Sequence, residues 1–209
     1  MNWNQYFEML KDWKLLPAYK IEPRIDSLIG YYLPKIISDF LKIEPIGIIP
    51  ELPIRLDTIK PEHQGTYYAD RSYKVDFLVI GNNNLNYLVE FKSDSRSRRD
   101  DQDLYLLESK TLGTKSIIEG IIQIAKLSNY REKYKHLKGK LYAYGLIDSE
   151  DRYTNLNPNF EIVYVQPSNY KNENNVIDFK WVSNWLKLNY SNAEYEGELA
   201  DALFSWSND

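Results

Sequence analysis

Three ionisable residues stand where the chain should be most apolar. Asp76 interrupts the run Tyr73-Lys74-Val75-Asp76-Phe77-Leu78-Val79-Ile80, while Glu90 and Lys92 fall at the end of Tyr87-Leu88-Val89-Glu90-Phe91-Lys92. Both runs are rich in β-branched and aromatic residues, and the intervening Gly81-Asn82-Asn83-Asn84 tolerates positive φ, so together they predict a β-hairpin. A period of two puts Leu88, Glu90 and Lys92 on one face of the second strand and Tyr87, Val89 and Phe91 on the other. On its partner Lys74, Asp76, Leu78 and Ile80 share a face. With a loop at Asn82 to Asn84, Gly81 pairs with Leu85, and counting back pairs Leu78 with Leu88, Asp76 with Glu90 and Lys74 with Lys92.

Two carboxylates directly opposed across a strand pair lie roughly 4.5–5.5 Å apart at Cβ, an arrangement that is destabilising without compensation. A hard divalent cation bound by Asp and Glu oxygens is the commonest physical reason to place two carboxylates on a buried sheet face. Protonation of one carboxyl, or a salt-bridged arrangement that serves structure alone, are the alternatives. Other chemistries are poorly supplied. The chain has no cysteine, which excludes disulfides, thiolate metal sites and a Cys nucleophile, and only two isolated histidines, His63 and His136, which argues against a His-based zinc site or a hydrolytic triad. Carboxylates and lysines must carry whatever reaction occurs.

The elements that would hold these residues follow from periodicity. Trp3, Tyr6, Phe7, Leu10 and Trp13 predict a first helix that Pro17 stops, and Ile25, Ile29, Leu33, Ile37 and Phe40 predict a second, through about Lys42, which Pro34 should bend or split. Ile46 to Leu56 reads as an irregular edge strand, and His63 to Asp70 as a loop. Past the hairpin, Leu104 to Lys110 and about Lys115 to Tyr134 read as helices with a break at Gly113. Leu141 to Ile147 and Phe160 to Gln166 read as strands, and Val182 to Leu188 and Ala193 to Trp206 as closing helices. Polar loops are expected at Asp148 to Pro158 and Ser168 to Asn175. This order predicts an α/β chain of the α+β type, a mixed central sheet flanked by helices, in one domain over residues 1–209.

No apolar stretch reaches the length of a membrane span and the first twenty residues lack a signal-type run, so a soluble, cytoplasmic protein without a membrane partner is expected. The net charge of −4 hides an uneven distribution: residues 71–140 carry 14 basic and 9 acidic side chains, whereas 141–209 carry 4 and 11. The motif lies in the basic third, where a polyanion could meet a positive local field, although solvated lysine-rich helix faces explain the same numbers.

Val75-Asp76, thirteen intervening residues, then Glu90-Phe91-Lys92, in a hairpin between helical regions, resembles the PD-(D/E)XK phosphodiesterases, the restriction-endonuclease-like nucleases. The resemblance spans about Glu22 to Ile147, with the strand and helices of 160–206 completing the fold, and Val75 stands where the family has its proline. It implies a core of helix, three strands, helix and strand. It implies metal-dependent hydrolysis of phosphodiesters, most naturally in DNA, with Asp76, Glu90 and the backbone carbonyl of Phe91 binding Mg²⁺ or Mn²⁺ and Lys92 positioning or activating the attacking water. An acidic residue on the first core helix would be Glu22 or Asp26, with Asp26 preferred because it borders the apolar stripe. Gln123, in a polar line with Lys126 and Tyr130, occupies the place where many of these nucleases carry Gln or Lys near the metal, though an ordinary amphipathic boundary looks the same. Arg96, Arg98 and Arg99 could contact phosphates or pair with Asp100 and Asp101. A catalytically inactive module of the same fold, binding nucleic acid or protein, and an unrelated α+β protein with merely salt-bridged carboxylates are the competing expectations. Oligomeric state is left open, a homodimer included.

Overall fold

From Phe77 to Ile80 the first run pairs with Val89 to Asn86 of the second as the count places them. In the computed structural model, which describes residues 22–60, 71–94, 100–170 and 173–207 together with Trp3, Gln5, Phe7 and Met9, leaving aside the side chains of 22–24 and Asp101, strand β2 is Ser72–Gly81 and β3 is Leu85–Phe91. They are antiparallel, with Leu78 opposite Leu88 and Phe77 opposite Val89. Asn84 turns the chain with a φ of 63°, a left-handed conformation that Asn adopts at low cost.

Ahead of the hairpin come α1, Glu22–Leu41, strand β1, Pro45–Arg55, and the single-turn helix α2, Leu56–Ile59; after it come α3, Asp100–Leu127, α4, Arg131–Ala143, β4, Asn159–Gln166, β5, Val176–Asp178, α5, Phe179–Asn189, and α6, Glu194–Trp206. The strands form one five-stranded sheet in the order β1-β2-β3-β4-β5. It is mixed, because β1 and β2 are antiparallel whereas β4 and β5 are parallel. The chain is thus α/β, with helices accompanying an open sheet whose edges are β1 and β5. Pro45, Pro50 and Pro53 all fall on the edge strand β1, where a missing N–H costs least.

By residue contacts the chain forms two compact units, one of Met1–Phe40, Glu90–Arg99 and Val163–Asp209, the other of Leu41–Val89 and Asp100–Ile162. In the first, the α1 stripe of Ile25, Ile29, Leu33, Ile36 and Ile37 is fully buried, and the helix runs unsplit through Pro34. Helices α5 and α6 pack against each other, and Asp178 caps α5 by accepting the Trp181 N–H at 2.7 Å. Trp3 and Phe7 meet Tyr195 and Trp206 edge to face, at 4.4 and 6.3 Å between ring centroids. The remainder of the expected first helix, and the His63 to Asp70 loop, lie outside the described residues.

In the second unit α3 packs on β1. Gly113 interrupts α3 with φ 76° and ψ 171°, a conformation open in practice only to glycine, which accounts for the break expected there. A buried polar network then ties the hairpin to α3. The Asn86 amide donates to Thr114 Oγ1 and to the Asn157 carbonyl, each at 3.2 Å, and the Asn157 amide donates to the Gly81 carbonyl at 2.7 Å. All three side chains are buried.

Two expectations fail. The helix expected from Lys115 to Tyr134 stops at Leu127, because the Ser128 hydroxyl accepts the Tyr130 N–H at 3.1 Å, a local bond that competes with helix continuation. Leu141 to Ile147 is not a strand. Its first residues are the last turn of α4, closed by Leu146 N–H on the Leu141 carbonyl and Gly145 N–H on the Tyr142 carbonyl, both 2.9 Å, with Gly145 at φ 74°. That pair of bonds, with Leu141 and Leu146 both buried, is a Schellman stop. Ile147 makes only an isolated bridge to Tyr153. Strand β5 lies just past the expected polar loop.

Replacing Asn86 by Ala strips partners from buried polar groups of Thr114 and Asn157, so a loss of roughly 2–3 kcal/mol is expected in urea unfolding. A change below about 0.5 kcal/mol would show that water takes over these bonds.

Candidate active site

β3 is buried on both faces. Phe91 points to the core of the first unit, where its ring stacks on Phe179 of α5 with centroids 5.7 Å apart and planes 20° from parallel. The period of two then sends Glu90 and Lys92 to the opposite face. There Lys92 Nζ donates to Glu90 Oε2 at 2.9 Å, and the two side chains are 4% and 1% exposed. Lys92 is anchored from its backbone as well, since its N–H donates to the Val165 carbonyl of β4 at 2.8 Å. The expected sharing of one face by Glu90 and Lys92 is what the structure has, and their charges meet in a dry environment.

An isolated carboxylate or ammonium at this depth would lose its charge or unfold its surroundings, because the desolvation cost is several kcal/mol per ion even after relaxation. Pairing offsets that cost. The consequence is a fixed ammonium with N–H donors beside a fixed carboxylate, on a strand that packing prevents from shifting.

Asp76 lies on β2 between buried Val75 and Phe77 and is itself half-buried. It flanks Phe77 in the chain as Glu90 flanks Val89, and Phe77 with Val89 is a paired position of the ladder. Asp76 falls in the second compact unit, Glu90 and Lys92 in the first. Asp26 is half-buried on α1, its Oδ1 accepting the Ser27 N–H, whereas the side chain of Glu22 and the stretch holding Arg96, Arg98 and Arg99 lie outside the described residues. Gln123 is held by a side chain of β1. Its Oε1 accepts from Arg55, whose guanidinium also pairs with Asp57 at 3.0 Å. Since α3 ends before Tyr130, the polar line through Gln123, Lys126 and Tyr130 does not continue as one helix face.

Arg55 and Asp57 were not anticipated from the sequence. Asp57 is 2% exposed, and its Oδ1 is buried with no hydrogen-bond partner among the described residues. The signal that could have found them is the same as for the first pair, opposite charges separated by one residue at the end of an apolar strand. Among the described residues no group of three or more His, Asp or Glu side chains is gathered as a metal site. Comparison with protein-family models, curated proteins and solved structures finds no match.

Lys92→Ala leaves Glu90 buried without its ammonium, so a loss of about 3–5 kcal/mol is expected in denaturant unfolding, while Glu90→Leu combined with Lys92→Met should fall much closer to the parent. If Lys92→Ala cost under about 1 kcal/mol, water would have to reach Glu90, contrary to the burial described.

Proposed function

We propose that this chain is a metal-dependent nuclease hydrolysing phosphodiester bonds, in DNA first, on the plan of the restriction-endonuclease-like phosphodiesterases. The observation that carries the proposal is the buried Glu90–Lys92 pair at the end of a hairpin whose Leu78–Leu88 register equals the one counted from the sequence. A buried ion pair is seldom the most stable filling for its volume; apolar residues of similar size often do as well or better. Retaining the charges is therefore better explained by chemistry than by stability.

The donor set suits a hard cation. Asp76, Glu90 and the Phe91 carbonyl would hold Mg²⁺ or Mn²⁺ through oxygen alone. Asp76 would add a second carboxylate to that of Glu90. When bound, the ion would contribute Lewis-acid neutralisation of charge developing on the scissile phosphate. Lys92, held by Glu90 and by the β4 backbone, presents N–H donors that orient an attacking water and offset negative charge on the phosphate oxygens. Asp26, or Glu22 one turn earlier, would add a carboxylate from the first core helix. Gln123 is engaged by Arg55 and enters the proposal only if that contact is released. The proposed setting is cytoplasmic.

A second reading, a module of this fold that binds nucleic acid or protein without cutting, is favoured by one observation, the lack of a three-carboxylate or histidine group among the described residues. Supercoiled plasmid, linear duplex and single-stranded DNA, each incubated with Mg²⁺ or Mn²⁺, separate the two. Cleavage that EDTA abolishes, and that Asp76→Asn or Lys92→Met slows by about 10²-fold or more, is expected. Cleavage indifferent to both substitutions, or none on any substrate, favours the module.

A further inference from the structure

The second unit carries a groove of about 780 Å³ lined by β1, β2 and α4. Its α4 wall is strongly basic. The helix holds Arg131, Lys133, Lys135, Lys138 and Lys140 against one acidic residue, Glu132, in a chain whose net charge is −4. Lys133, His136 and Lys140 fall three and four residues apart, which places them on one helix face, and all three line the groove. Lys138 is paired with Asp151 at 2.7 Å. Among the described residues Lys133 and Lys140 have no carboxylate partner, so their charge is available to a ligand. On the opposite wall stands Lys74 of β2, paired with Glu51 at 2.9 Å on the surface.

The groove is not only basic. Ile49, Pro50 and Pro53 of β1 give it apolar surface, and Tyr130 at its end is 68% exposed, with the Lys133 ammonium 5.4 Å from the ring centroid. Tyr134, half-buried beside them, has its phenol pushed upward by burial against a smaller opposing effect of Lys74; it therefore offers a protonated hydroxyl at neutral pH. Lysines for phosphates, an exposed ring over which a base can stack, and an apolar floor are what a single strand uses. A duplex presents phosphates to such a surface but keeps its bases stacked inside.

We propose that the groove between β1 and α4 binds single-stranded nucleic acid, with Lys133 and Lys140 on separate phosphates and Tyr130 stacking on a base. Lys133 and Lys140 are about 10.5 Å apart along the helix, from a rise of 1.5 Å per residue, so each can meet a different phosphate. Lys74 lines the same groove and shares its β2 face with Asp76, one period away. The strand is thereby led along the face that carries a proposed metal ligand. This inference deepens the nuclease proposal by naming the substrate form, and it rests on that proposal only where it speaks of Asp76.

The test is fluorescence anisotropy of a labelled twenty-nucleotide oligothymidylate with the full chain, in EDTA so that binding is read without cleavage. Binding is expected, tighter than to a blunt duplex of equal length. Lys133→Glu with Lys140→Glu should weaken it at least tenfold and reduce the slope of log affinity on log salt by about 1.4, at roughly 0.7 per phosphate contact on single strands. Tyr130→Ala should weaken it several-fold and leave that slope unchanged. Unchanged affinity in these variants with an unaltered unfolding midpoint, no binding by the parent, equal binding of the duplex, or equally effective competition by polyglutamate would each overturn the proposal. If these binding results are as expected but no substrate is cleaved with metal, the groove stands and the nuclease proposal falls. If cleavage occurs and the groove variants bind as the parent does, the reverse holds.

Discussion

A carboxylate and an ammonium can be buried two residues apart at the end of a strand only where each is paired. Glu90 and Lys92 meet that condition at 2.9 Å, and much of the surrounding construction holds them to it. Phe91, between them in sequence, is fixed on the opposite face by its stack on Phe179. The Lys92 backbone is tied to β4 through Val165. Because the period of a strand is two, a slip of one residue would drive both charges into the apolar face that Phe91 occupies. Register and charge are therefore mutually dependent.

The same dependence gives the pair its chemical interest. A lysine in open solvent is a mobile, hydrated cation with considerable rotamer entropy, whereas Lys92 begins with that entropy already lost and most of its water removed. Donors fixed in a dry environment stabilise developing charge without reorganising at the moment of reaction. The groove along α4 has the opposite character. Its lysines are hydrated, and their effect on a polyanion is additive and salt-dependent. On the proposed reading, fixed donors in one place and screened attraction in another suit a long, charged substrate.

Much of this was legible in the sequence, and the residues show why. The hairpin register could be counted because three asparagines and a glycine between two alternating runs leave little choice of loop, and the observed Leu78–Leu88 pairing agrees with the count. The α1 stripe and the Gly113 break were equally readable, one from periodicity and the other from a backbone conformation that only glycine tolerates. Leu141 to Ile147 reads as a strand because alternating Leu, Tyr and Ala mimic one, while the segment Arg131 to Lys140, with five basic residues spaced along it, carries no apolar stripe to mark a helix. Strand β5 has three residues, too few for any period to register. Arg55 and Asp57 were passed over because opposite charges at a strand end suggest a surface, whereas Asp57 is buried with one oxygen unpartnered among the described residues. Whether Asp76, Glu90 and Lys92 act together is a matter of side-chain convergence, to which a strand pattern is blind.

The most direct measurement is the unfolding midpoint of the parent protein and of Glu90→Gln across a Mn²⁺ titration. A ligand that binds only the folded state raises stability by RT ln(1 + [L]/Kd). The parent should rise with Mn²⁺ and saturate, and Glu90→Gln, once its own lower starting midpoint is subtracted, should stay flat. A parent that does not respond, or a variant that rises as steeply as the parent, would contradict a cation site at Glu90 and leave its pair with Lys92 a structural feature.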